Sequence, residues 1–148
     1  MRMISLSPGG HFLVTTDRKN RTWLLDLSRG PAAEMRRLLD DTGVESIAFS
    51  RDDRYLGIGS DAGEGQLHVF DTGTSEGVLE IAVLQHTGKV TAVSFSDDSR
   101  YVVTASSDQH AYRLDEEESY PVRIWLLQPG DLIAEATARL GNLGPRNQ

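Results

Sequence analysis

The sequence contains no cysteine. That excludes disulfides, thiolate nucleophiles and any zinc or iron–sulfur site built on cysteine sulfur. Large aromatics are scarce, with four Phe and two Trp in 148 residues, and proline is limited to five. No window approaches the ~18 consecutive apolar residues of a membrane span. The opening residues MRMISLSPGGHF lack the apolar stretch of a secretory signal. Basic charge is also short: 15 Lys and Arg stand against 22 Asp and Glu, a formal net charge of -7. This balance argues against broad binding to nucleic acid or to anionic membrane, both of which attract cationic surfaces. The expectation is a protein of the cytoplasm with no nucleic-acid partner and no membrane partner.

What the chain does have is a repeated β-hairpin. Residues 90–108, VTAVSFSDDSRYVVTASSD, contain an alternating strand, the turn SDDSR and a second, β-branched strand. The same grammar appears as VESIAFSRDDRYLGIGSD at 44–61 and more faintly as MRMISLSPGGHFLVTTD at 1–17. Aligned on the serine that opens each turn, Ser7, Ser50 and Ser96, the repeats are 43 and 46 residues apart. A period of this length signals stacked supersecondary units.

Read unit by unit, the pattern predicts strands at 3–7, 11–16, 21–27 and 34–39 in the first repeat. The fourth of these also suits a helix, since AAEMRRLLDD is rich in helix formers. The second repeat gives strands at 44–49, 55–59, 66–70 and 79–84, with connections at 50–54, 61–65 and 71–77. The third begins at Val90 and departs after Asp108, where about twelve extra residues precede a strand at 122–127. Each unit is a four-stranded meander too small to stand alone, so its faces must be covered by copies of itself. The units span about 1–42, 43–87 and 88–128. Beyond them, Asp131 can cap an amphipathic helix whose face carries Leu132, Ile133, Ala136 and Leu140, ending at Gly141. A short helix within 129–141 and a loose tail at 142–148 are therefore expected. A fourth strand at 132–136 is the alternative that repeat spacing alone demands.

The repeats resemble the WD-repeat β-propeller family. Leu25-Asp26 and Phe70-Asp71 stand where that family's Trp-Asp dipeptide closes the third strand of a blade, and Trp125 stands there in the third unit, followed by Leu126. Gln85-His86 represents the Gly-His pair before the first strand. The resemblance implies an all-β fold of three four-stranded antiparallel propeller blades. It also implies an internal hydrogen-bond network, carried here by His86, Ser106, Asp108 and Trp125. Such a network satisfies buried polar groups and locks a turn. The stretch WLLQPGDLIAEATARLGNL resembles the end of the last blade in bacterial multidomain WD-repeat proteins, where a short amphipathic helix follows.

Two chemical readings compete with the structural one. His86, Ser106 and Asp108 are the residue types of a Ser-His-Asp triad, but a nucleophile inside a sheet would lack an oxyanion pocket. His11, His68, His86 and His110 are scattered without zinc-ligand spacing, so no metal and no cofactor is expected. A hydrolase-type or lactone-acting propeller would use a channel site, for which Asp17, Asp61, Asp71 and Asp108 are the candidates. All four sit at turn positions, where aspartate caps backbone N–H groups.

The expected function is therefore a non-catalytic protein–protein interaction scaffold, not an enzyme. Three blades cannot close a ring of the usual four to eight. Two chains related by a two-fold axis would give six, so a homodimer is expected, unless the chain is a piece of a longer propeller. The clients would be proteins or peptides, and the acidic run Asp115, Glu116, Glu117 and Glu118, within the insertion at 109–121, is the candidate interaction loop.

Overall fold

The computed structural model describes residues 3–40, 42–107, 122–127 and 133–136. They form three four-stranded antiparallel sheets, each a meander with strands in sequence order. The first holds β1 (Ile4–Leu6), β2 (Phe12–Thr16), β3 (Thr22–Asp26) and β4 (Met35–Leu39). The second holds β5 (Val44–Phe49), β6 (Tyr55–Ser60), β7 (Gln66–Thr74) and β8 (Gly77–Gln85). The third holds β9 (Lys89–Phe95), β10 (Tyr101–Ser107), β11 (Val122–Leu127) and β12 (Ile133–Ala136). The first strands of the three sheets, β1, β5 and β9, are neighbours in space. The sheets are thus propeller blades with their first strands innermost.

The turn after each innermost strand is built the same way. Its serine Oγ accepts the amide of the aromatic residue that starts the next strand: Phe12 to Ser7 at 3.1 Å, Tyr55 to Ser50 at 2.8 Å and Tyr101 to Ser96 at 3.0 Å. One side chain thereby satisfies a backbone donor that the tight turn would leave without a partner. The third residue after each serine takes a left-handed backbone, with φ of 75° at Gly10, 60° at Asp53 and 56° at Ser99.

Period-two alternation gives every blade two faces, and the cores lie between blades. Val14 and Leu24 from the first blade meet Leu56, Ile58 and Phe70 from the second. On its opposite face the second blade offers Tyr55, Leu67 and Val69 to Val102, Trp125 and Leu127 of the third. Strand β6 is sandwiched, and all six of its residues are buried. Its glycines permit this: a Cβ at Gly57 would lie 2.8 Å from Val93 Cγ1, so β9 can press onto β6 only where no side chain intervenes.

Two expectations change. The segment expected to form a helix after Asp131 contains strand β12, which pairs with β11 from Ile124↔Ala136 to Leu127↔Ile133. Helical preference amounts to only a few tenths of a kcal/mol per residue. A short helix there would leave the backbone groups along the edge of β11 unpaired, whereas a fourth strand satisfies them. The third blade therefore has its own outer strand. The expected loop at 71–77 is also mostly strand, because β7 runs to Thr74 and β8 starts at Gly77, whose φ is 100°. The ambiguous segment after Pro31 is strand β4, preceded by a short 3-10 segment, Leu27–Ala32, capped by the Asp26 carboxylate. Among the described residues no helix is long and apolar enough to cross a membrane.

Candidate interaction surface

The polar residues singled out by the sequence are engaged in bracing. His86 is buried between the second and third blades, with Nδ1 3.2 Å from the Leu84 carbonyl and Nε2 2.8 Å from Thr104 Oγ1. A carbonyl only accepts, so Nδ1 carries a proton and donates it to Leu84, while Nε2 and the Thr104 hydroxyl share a second hydrogen bond. The same Thr104 oxygen accepts the indole N–H of Trp125 at 3.3 Å, and the imidazole and indole rings stand 5.8 Å apart. The hydroxyl that joins His86 to Trp125 is thus that of Thr104, where Ser106 was expected. Ser106 Oγ is buried without a hydrogen-bond partner. Both residues lie on one face of β10, but the register Val102↔Trp125 seats the indole nearer Thr104. Asp108 lies outside the described residues, as do His110 and the acidic residues Asp115, Glu116, Glu117 and Glu118.

A second bracing device was not read from the sequence. Asp53, in the turn of the second blade, reaches the turn of the first. Its Oδ1 accepts the Gly9 amide at 2.8 Å, and its Oδ2 accepts the Ser7 hydroxyl at 2.8 Å and lies 2.9 Å from His11 Nδ1. Burial alone would push the Asp53 carboxyl upward. The Gly9 amide, the Ser7 hydroxyl and the His11 ring outweigh that and hold it below the usual carboxylate range. A Cβ at Gly9 would collide with this carboxylate, so the glycine is what admits it. The other two turns carry Asp52 and Asp98 at the equivalent position, each bonded to its own serine at 2.6 Å. The missing carboxylate in SPGGH was the available signal. In the third turn Ser99 takes the place of Asp53, and burial of the neighbouring Asp52 is outweighed by Ser50, the Arg54 amide and the Ser99 hydroxyl, which together hold its carboxyl below the usual range.

The remaining candidates are placed as follows. Phe70 and Trp125 are buried in the two inter-blade cores, while Leu25 is half-buried on the outer side of the first blade. Asp26 caps the 3-10 segment, and Asp71 accepts the Gly73 amide and the Arg54 guanidinium. Asp17 caps Lys19 and Arg21 and also takes the Arg21 guanidinium and the Trp23 indole. The Arg21 guanidinium holds its carboxyl well below the usual range. Asp61 lies 3.8 Å from Lys89 Nζ. The structure does not gather these aspartates into one site. Among the described residues no group of three or more His, Asp or Glu is arranged to hold a metal. His68 Nδ1 is 2.8 Å from Glu80 Oε1, again a local pair.

Unlike these engaged polar groups, two blade faces carry apolar side chains that no other described blade covers. On the outer side of the first blade, two rungs cross the sheet: Ile4–Thr15–Trp23–Arg37 and Leu6–Leu13–Leu25–Met35. Ile4 is 73% exposed, Leu6 58% and Met35 56%. Arg21 and Arg37 flank the Trp23 ring at 5.5 and 5.9 Å. At the other end, the third blade turns Tyr101, Val103, Ala105, Ile124 and Leu126 away from the second, all of them half-buried. The turns of the second and third blades also bound a cleft of about 450 Å³ lined by Asp52, Arg54, Tyr55, Asp98 and Arg100.

Comparison with known proteins follows the same architecture. Residues 78–112 match the family model described as WD domain, G-beta repeat. The chain is 25% identical over 138 residues to an uncharacterised WD repeat-containing protein of Synechocystis sp., covering 93% of this chain and 35% of that protein. It is 38% identical over 80 residues to autophagy-related protein 18 of Meyerozyma guilliermondii, covering 53% of this chain and 14% of that protein. The chain thus spans well under half the length of these relatives. Among solved structures it is similar to the β-propeller domain of Cps50 (Swd1) from Myceliophteria thermophila, with a TM-score of 0.56 and 15% identity over 85% of this chain and 40% of that one. It is also similar to a protein of Bacteroides uniformis assigned as a 6-phosphogluconolactonase, with a TM-score of 0.62 and 12% identity over 89% of this chain and 38% of that one. At these identities the structural likeness is one of fold.

Proposed function

Because the chain belongs to the WD-repeat β-propeller family, we infer that it works as a non-catalytic protein-interaction scaffold in the cytoplasm, and that a second copy covers its open blades. The observation that carries this reading is the contrast between its polar and apolar surfaces. His86, Thr104, Trp125, Asp17, Asp53 and Asp71 are all engaged within turns or between blades, whereas Ile4, Leu6 and Met35 lie uncovered. An uncovered apolar face on a repeat unit is a docking surface, because water solvates it poorly.

Two copies in a ring make six blades, within the range in which propellers close, and leave no face open. Light scattering after size exclusion tests this directly. The expected mass is twice that of the chain, with Ile4→Glu shifting the protein toward monomer. A monomeric mass across all concentrations, with the fold intact, would overturn closure by a second copy and favour cover from further blades of a longer polypeptide.

The clients proposed for the assembled scaffold are basic protein segments. Net charge favours them, and the insertion carrying Asp115–Glu118 connects the second and third strands of the third blade. A fluorescent oligolysine peptide is expected to bind the full chain in low salt and to bind more weakly when 109–121 is deleted. Unchanged binding would remove that loop from the reading. The hydrolase alternative rests on propeller fold alone, and of its candidate aspartates Asp17, Asp61 and Asp71 are engaged separately.

A further inference from the structure

We propose that the closing contact reproduces the register of the internal blade junctions, with Ile4 of one copy seated on Val103 of the other and Leu6 beside it toward Tyr101. This rests on the reading that a second copy completes the ring, and it names the surfaces that meet.

The internal junctions supply the rule. Counting back from the turn serine, Ile47 and Phe49 of β5 hold the same places as Val93 and Phe95 of β9. Each pair packs against the preceding blade. Ile47 and Phe49 join the cluster that contains Val14, and Val93 and Phe95 join the cluster on the second blade. At the latter junction an added Cβ on Gly57 would touch both Val93 and Phe95. Ile4 and Leu6 hold the same places in β1, yet they are 73% and 58% exposed, with no described blade packed on that face.

On the receiving side, Gly57 of the second blade corresponds to Val14 of the first and Val103 of the third, again counted from the turn serine. Val14 is fully buried against the following blade, whereas Val103 is only half-buried. The pair Ile4 and Val103 therefore matches Ile47 and Val14 in residue type as well as position. Side chains of the same volume meet at the same register, as close packing requires.

Charge separates along the chain in the matching sense. Residues 1–42 carry seven Lys and Arg against five Asp and Glu, a net +2; residues 88–148 carry six against nine, a net -3. The donor end of one copy is thus opposite in sign to the acceptor end of the next, which favours a head-to-tail encounter over a head-to-head one. A lone oligomer-forming face would carry no such directional preference.

The absence of cysteine makes the test clean. Ile4→Cys and Val103→Cys chains are co-expressed and mildly oxidised, with Ser5→Cys paired with Val103→Cys as a control on the opposite face of β1. A disulfide needs Cβ atoms about 3.8 Å apart. The expected result is a disulfide-linked dimer from the Ile4→Cys and Val103→Cys pair and none from the control. A dimeric mass by light scattering without that cross-link overturns the register and leaves closure by a second copy standing. A monomeric mass overturns both.

Discussion

The Asp53 carboxylate belongs to the second blade but completes the turn of the first, accepting the Ser7 hydroxyl and the Gly9 amide at 2.8 Å each. A turn that lacks its own aspartate borrows one from its neighbour. Removing it leaves a buried serine and an amide without their acceptor. Asp53→Ala is expected to lower unfolding free energy by about 1.5–3 kcal/mol, the range for hydrogen bonds to a charged group. Asp53→Asn keeps an acceptor and tolerates the left-handed backbone, so its loss should be smaller. Urea titration of both variants checks this, and equal, negligible losses would show that the borrowed carboxylate contributes nothing.

The same carboxylate makes the first junction acid-sensitive. Its folded value lies below its unfolded one, so its contribution is present at neutral pH and fades as protons return to it. Stability is expected to fall as pH drops below about 4, the ordinary aspartate value. The acid-induced slope should be shallower in Asp53→Asn. Denaturant midpoints measured from pH 7 down to 3 provide the comparison, with parallel curves counting against the assignment.

Thr104 and Ser106 offer a paired test on one strand. Thr104→Val keeps the shape but removes the hydroxyl shared by His86 and Trp125, and the loss of these two buried hydrogen bonds should cost about 1–3 kcal/mol. Ser106→Ala removes a hydroxyl that has no hydrogen-bond partner and should cost little or even stabilise. Thermal melts that rank the two variants the other way would return Ser106 to the centre of the network.

Close approach of β9 to β6 predicts a steric effect at Gly57. Gly57→Val places atoms where Val93 and Phe95 already stand, and overpacking of this kind costs about 1–3 kcal/mol. Val93→Ala in the same chain should recover part of the loss by making room. Calorimetry of the single and double variants measures the coupling, and strictly additive losses would speak against direct contact.

Most of the strand pattern is a local property and was legible. Alternation in 90–108, the turn serines and the 43- and 46-residue spacings fix where strands start and stop, because period two and turn chemistry act over a few neighbouring residues. The resemblance of Phe70 and Trp125 to one blade position likewise agrees with their burial in successive cores.

By itself, then, the sequence determined a three-blade, antiparallel repeat with polar turns and apolar faces. Tertiary structure alone decided whether Ile133–Ala136 is strand or helix, because the free edge of β11 outweighs local propensity. It also decided that Thr104 rather than Ser106 joins His86 to Trp125, since cross-strand register sets which hydroxyl lies beside the indole. Asp53 was assigned to the first turn in the same way, because a carboxylate can serve a gap 44 residues away only once the blades are packed together.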